Sequence, residues 1–161
     1  MIIFKGLTHT LVALSLYFLF FDFDLIIIIS IVLGSLIPDI DIVGKYNILA
    51  QFMKHRGKMH TFLILTLISI LLFLIDTNFA LGFAYGYTMH LIMDTLTPMG
   101  IMWAYPINDK YYSLNKRFNY RILEPVIVGI CSVFLFLVNF KIIMYSYLAY
   151  GMLKISRKFI F

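Results

Sequence analysis

The chain has 161 residues, 62% of them hydrophobic and only 13% charged. Its mean hydropathy of +0.95 argues against an ordinary soluble domain and for an integral membrane protein. A net charge of +5 would point to nucleic acid in a soluble protein, but the basic residues here lie between apolar runs, so no nucleic acid is expected. Cys131 is the single cysteine, which excludes a disulfide framework and a thiolate metal site.

In chain order, the punctuation predicts six helical segments. The first spans about 4–21, with Lys5 at its start, and ends at Asp22-Phe23-Asp24. It lacks an A-x-A-like cleavage site and is expected to be a retained helix, not a signal peptide. The second covers 25–37 and stops at Pro38, the third runs over 60–75 to Asp76, and the fourth over 79–96 to Thr97-Pro98. The fifth and sixth are expected over 122–138 and 141–154. Several fall below the roughly 20 residues that a bilayer crossing needs, so the second and sixth are expected to be short or tilted. The expectation is a single membrane-embedded domain, 1–161. It is an all-α integral membrane protein, a compact bundle of about six mostly transmembrane helices.

The loops alternate in charge. Of the 13 Lys and Arg residues, only Lys141 falls in a tight turn. The other basic residues sit at the termini and in the 2–3 and 4–5 loops. This positive-inside bias predicts cytoplasmic termini, cytoplasmic long loops and a polar pocket at the cytoplasmic face of the cell membrane. Trp103, Tyr105, Tyr111, Tyr112 and Tyr120 suit an interfacial belt.

On this topology the four histidines gather at one end. His9 lies about one turn into the first segment, Asp39 and Asp41 close the second, and His55, Arg56 and His60 precede the third. His90 and Asp94 lie late in the fourth, and Glu124 opens the fifth. An ionisable group in a membrane helix costs about 2.5–3.5 kcal/mol at the helix centre, so such groups face a bundle interior and are paired. His90 and Asp94, four apart, share a helix face and suit two ligands of one ion or a carboxylate orienting an imidazole. Each residue alone has a bland reading, as an interhelical hydrogen bond, a helix stop or a basic anchor. Four imidazoles and three carboxylates meeting at one depth favour a metal site. Without thiolate, that site suits Zn, Mn, Fe, Ni or Co.

The motifs are Lys5-Gly6-x-Thr8-His9, Gly34-Ser-Leu-Ile-Pro-Asp-Ile-Asp41 and His55-Arg-Gly-Lys-Met-His-Thr61. They continue from Gly86 through His90, Asp94 and Thr97-Pro98 to Gly100, then Tyr105-Pro106 and Arg121-x-x-Glu124. With these the chain resembles the YdjM-like family of small membrane-bound proteins classed as metal-dependent hydrolases. It departs from the family's usual pattern at Met59, where Thr is common, and at Met99. The resemblance implies a divalent-metal hydrolase with no particular substrate.

The candidate ligands are His9, Asp39, Asp41, His55, His60, His90 and Asp94, enough for one or two ions, zinc foremost. Asp41 or Glu124 is the candidate general base, and the planar fork of Arg56 suits phosphate oxygens. A site at membrane depth suits a lipid or membrane-associated phosphoester, a phospholipase-like substrate class. The alternatives are a divalent-cation transporter or a metal-binding membrane protein without catalysis. A transporter would need a polar path to both sides. An intramembrane zincin is disfavoured because the chain has no His-Glu dipeptide. Oligomeric state is not legible.

Overall fold

A computed structural model of the chain describes residues 6–39, 56–114 and 123–139. In chain order they form α1 (Gly6–Phe20), α2 (Leu25–Leu36), a 3-10 turn (Ile37–Asp39), α3 (Phe62–Phe73) and α4 (Thr77–Thr95). Residues 123–139 form a further helix, α5. Among the described residues the strand content is one isolated bridge between Ile101 and Tyr112. The expected sixth helix, 141–154, lies outside the described residues.

The acidic residues of the tight turns are helix starts. Asp24 caps α2 by accepting from the amides of Ile26 and Ile27 at 2.9 and 3.1 Å. Asp76 caps α4 through the amide of Phe79 at 2.7 Å. Each supplies an acceptor to amides that have no partner inside the helix. Asp24→Ala is expected to cost about 1 kcal/mol, read as a lowered unfolding midpoint in detergent. An unchanged midpoint would show that this cap is idle.

Mostly transmembrane helices were expected, and that expectation is corrected. Among the described residues no helix is long and apolar enough to cross a membrane. With 12 residues each, α2 and α3 rise about 18 Å, against a hydrocarbon core of about 30 Å. At 15 residues α1 is also short. The 19-residue α4 is long enough but carries Thr77, Asn78, Thr88, His90, Asp94 and Thr95. The apolar runs read as spans are thus shorter or more interrupted than a crossing requires.

Polarity is nonetheless inverted relative to a soluble domain. Outward faces carry Phe20, Leu25, Leu71, Leu74, Leu81, Ile130 and Phe136, all exposed. Buried positions include Thr8, His9, Ser30, Ser35, Arg56, His60, His90 and Asp94. Small apolar clusters separate them, one around Leu65, Phe83, Tyr87, Leu91 and Ile101, another around Ala13, Tyr17 and Ile31.

The most extensive helix pairing is α2 on α4. It is a backbone-to-backbone contact. A Cβ on Gly86 would run into the main chain of Ile31, and one on Gly34 into the main chain of Phe83 and Tyr87. Absent side chains let two helices approach closely, which is how small residues join helices where lipid removes the hydrophobic drive. This crossing carries Ser35 and Asp39 to the polar end of α4.

Candidate metal centre

Four segments bring one residue or more each to a single point. His9 comes from the second turn of α1, Asp39 from the 3-10 turn after α2, and His60 from the segment that leads into α3. One face of α4 supplies His90 and Asp94. All five are buried. The segment carrying His60 is fixed by two local bonds and one from α4. The His60 amide donates to the Gly57 carbonyl at 3.0 Å, the Thr61 hydroxyl to the Lys58 carbonyl at 3.0 Å, and the Tyr87 hydroxyl to the Met59 carbonyl.

His90 is central. Its Nδ1 lies 2.7 Å from the main-chain oxygen of Ser35, which can only accept, so Nδ1 carries the proton. The Nε2 lone pair is therefore free to face the cluster. That atom is 3.3 Å from His60 Nε2, 3.6 Å from Asp39 Oδ1 and 3.6 Å from Asp94 Oδ2. His60 Nε2 lies 3.6 Å from Asp39 Oδ1 and 3.4 Å from Asp94 Oδ2. His9 stacks on the His90 ring at 4.0 Å and places Nε2 3.7 Å from Asp94 Oδ1.

The nitrogen–oxygen separations of 3.4–3.7 Å exceed ordinary N–H to O hydrogen bonds, which end near 3.2 Å, while the two Nε2 atoms at 3.3 Å stand within hydrogen-bond reach of each other. These separations match donors around one ion, because zinc bonds of about 2.0–2.2 Å put neighbouring tetrahedral ligands about 3.3–3.6 Å apart. A second observation agrees. Asp39 Oδ1 and Asp94 Oδ2 are buried and take no hydrogen bond among the described residues. A buried carboxylate oxygen without a donor is costly, and a cation is what would offset it. Burial works against ionising Asp39, yet the facing imidazoles of His60, His90 and His9 hold its carboxyl below the usual range. The ligand-competent carboxylate form therefore prevails near neutral pH.

Among the described residues, two buried groups could hold a metal ion. One is His9, Asp39 and His90, and the other is His60, His90 and Asp94, with donor atoms within 4.8 Å of one another in each. The donor set is imidazole and carboxylate, as the sequence predicts, and it fits a borderline divalent cation.

The structure thus brings together His9, Asp39, His60, His90 and Asp94 of the expected ligands. His55 and Asp41 lie outside the described residues. Glu124 stands at the start of α5, where one carboxylate oxygen accepts from the Thr8 hydroxyl at 2.9 Å, next in sequence to His9. Arg56 was expected to meet substrate phosphate. In the structure it is buried, with Nη2 donating to Asp94 Oδ1 at 2.8 Å and Nη1 to the Thr97 hydroxyl.

Sequence reasoning gave no role to three residues: Ser35, whose carbonyl sets the His90 tautomer; Thr97, which receives Arg56; and Thr8, which ties Glu124 to α1. Their signal was membership of the quoted motifs, each within a few residues of a candidate ligand. The closing loop is anchored to the same end, with Trp103 Nε1 donating to the Thr95 hydroxyl at 2.8 Å and the Leu114 amide to the Thr95 carbonyl at 2.9 Å.

A family model described as YdjM inner membrane protein matches residues 4–158. No curated protein and no solved structure matches the chain. The matched span contains every candidate ligand, and the description places such proteins in the inner membrane, in keeping with the exposed apolar faces. The chain belongs to the YdjM inner membrane protein family.

Proposed function

We propose that the protein is a divalent-metal-dependent hydrolase acting on a phosphoester of a lipid or membrane-associated substrate. The observation that carries this reading is the convergence of three imidazoles and two carboxylates, with Asp39 Oδ1 and Asp94 Oδ2 buried and lacking a hydrogen-bond donor among the described residues. His9, Asp39, His60, His90 and Asp94 would hold the ion, zinc foremost. When bound, a divalent ion polarises a phosphoryl oxygen and makes water acidic enough to serve as a nucleophile near neutral pH.

The protein's own groups do the rest. Ser35 keeps the proton of His90 on Nδ1, so Nε2 stays available as a ligand. Burial of the cluster strengthens each electrostatic contact within it. Glu124, which accepts from the hydroxyl of Thr8 beside His9, is a candidate to take a proton from water. Asp41 is the other candidate for that role. The substrate class follows from the membrane setting and from the hard oxygen chemistry that an imidazole–carboxylate site favours. The positive-inside bias of the sequence would turn the site toward the cytoplasmic side and its anionic leaflet.

The test is metal content of detergent-purified protein, followed by assays on bis(p-nitrophenyl) phosphate, p-nitrophenyl phosphate and mixed phospholipid vesicles. The expected result is about one or two equivalents of metal and phosphoester hydrolysis that a chelator abolishes and added Zn2+ or Mn2+ restores. Bound metal with no turnover on any of these would leave a metal-binding membrane protein and reject the hydrolase.

A further inference from the structure

Arg56 is only 1% exposed, and its backbone φ of 58° lies in a left-handed region that non-glycine residues rarely occupy. A long side chain keeps such a backbone only where its surroundings hold it there. The holders here form a closed ring. Nη2 donates to Asp94 Oδ1 at 2.8 Å, and Nη1 donates to the Thr97 hydroxyl. The Thr97 hydroxyl gives its one proton to the main-chain oxygen of Asp94 at 2.7 Å, leaving a lone pair for the guanidinium. Side chain and backbone of Asp94 are thus gripped from both sides.

The grip makes the two oxygens of Asp94 unequal. Oδ1 is occupied by the guanidinium, whereas Oδ2 is buried, takes no hydrogen bond among the described residues, and faces His60 Nε2 at 3.4 Å and His90 Nε2 at 3.6 Å. We propose that Arg56, locked by Thr97, is a positioning residue that commits Asp94 to ligate the metal through Oδ2 alone. The inference rests on the metal-dependent reading above and deepens it, because it assigns Arg56 to the ligand and not to substrate phosphate. The guanidinium is the group suited to the task. Its planar fork reaches a carboxylate and a hydroxyl at once, while an ammonium is a single point charge. Without the fork, Asp94 is free to rotate and offer both oxygens, which raises the coordination number.

The experiment uses full-length protein in detergent, stripped with chelator and titrated with Co2+, whose visible absorption is strong at four-coordinate sites and weak at higher coordination. Affinity is read in parallel by competition with a chelator of known strength. For Arg56→Lys the expected result is weaker visible absorption and an affinity lowered about ten-fold or more, the scale of losing an outer partner of a ligand. A parent-like spectrum and affinity would overturn the proposal. If Arg56→Lys does not fold, the Thr97 pair decides. Thr97→Ser, which keeps the hydroxyl, should match the parent, and Thr97→Val should show the weakened spectrum. Parent-like behaviour in both would also overturn it. Failure of the parent itself to take up Co2+ would instead sink the metal-dependent reading, so the two failures are distinguishable.

Discussion

Replacing His90 by Ala is expected to lower metal affinity by a hundred-fold or more, while His9→Ala and His60→Ala each have a smaller effect. The grading comes from the way the two candidate groups overlap. His90 belongs to both, His9 only to the group with Asp39, and His60 only to the group with Asp94. Loss of His9 or His60 therefore leaves one three-residue group whole, and loss of His90 leaves neither. His90 Nε2 also stands at 3.3–3.6 Å from His60, Asp39 and Asp94, so its removal takes away the atom that the others face. Structural zinc binding is worth about 10–16 kcal/mol overall, so one central ligand readily accounts for the roughly 3 kcal/mol that a hundred-fold represents. The measurement is retained metal after desalting, with chelator competition for affinity and far-UV circular dichroism to show that the helices remain. Equal losses in all three variants would mean that the histidines act as one undivided site. Full metal retention in His90→Ala would remove His90 from the ligand set.

The histidine cluster was legible because the chain is so apolar. A buried imidazole in a soluble domain attracts little notice, but four histidines in a chain that is 62% hydrophobic each demand a partner. The spacing of His90 and Asp94 gave one shared helix face directly, and that face is buried in α4. Helix positions were legible too, since Asp24 and Asp76 mark starts that the structure shows as caps. Membrane crossing was not legible from hydropathy alone. The runs at 25–36 and 62–73 are intensely apolar but only 12 residues long as helices. An apolar run shows that a segment avoids water, while a crossing also needs length.

The contact between Arg56 and Asp94 was hidden for a different reason. The positive charge of Arg56 before an apolar run matches a topological anchor, and its fork matches a phosphate clamp. Its contact to Asp94 links residues 38 positions apart, which no local pattern encodes. Ser35 was hidden because a main-chain carbonyl does the work and the side-chain type leaves no mark in the sequence. The His90 tautomer follows from where the end of α2 lands on α4. That landing depends on glycines that a hydropathy profile treats as neutral.

Gly86→Ala is accordingly expected to lose stability and metal together. The added methyl would meet the main chain of Ile31, with its carbonyl carbon at 2.9 Å, closer than real Cβ contacts come, and its Cα at 3.0 Å, tighter than nine in ten of them. Neither is the movable tip of a side chain, so the helices themselves must part. Overpacking of this kind costs about 1–3 kcal/mol, and a rigid backbone obstacle puts Gly86→Ala near the upper end. The separation falls between α2, which carries Ser35 in its last turn and leads to Asp39, and α4, which carries His90 and Asp94. A small displacement there lengthens the Ser35–His90 bond of 2.7 Å and moves Asp39 away from both imidazoles. Gly129→Ala is the control, because a Cβ at that position in α5 meets nothing within 4 Å. There the substitution should be neutral or add up to about 1 kcal/mol of helix propensity. Unfolding midpoints in detergent, with and without added Zn2+, read both effects. Gly86→Ala should show a lower midpoint and a smaller upward shift on adding metal, while Gly129→Ala keeps the parent shift. A Gly86→Ala protein with parent-like midpoint and metal shift would show that the α2–α4 contact does not set the geometry of the site.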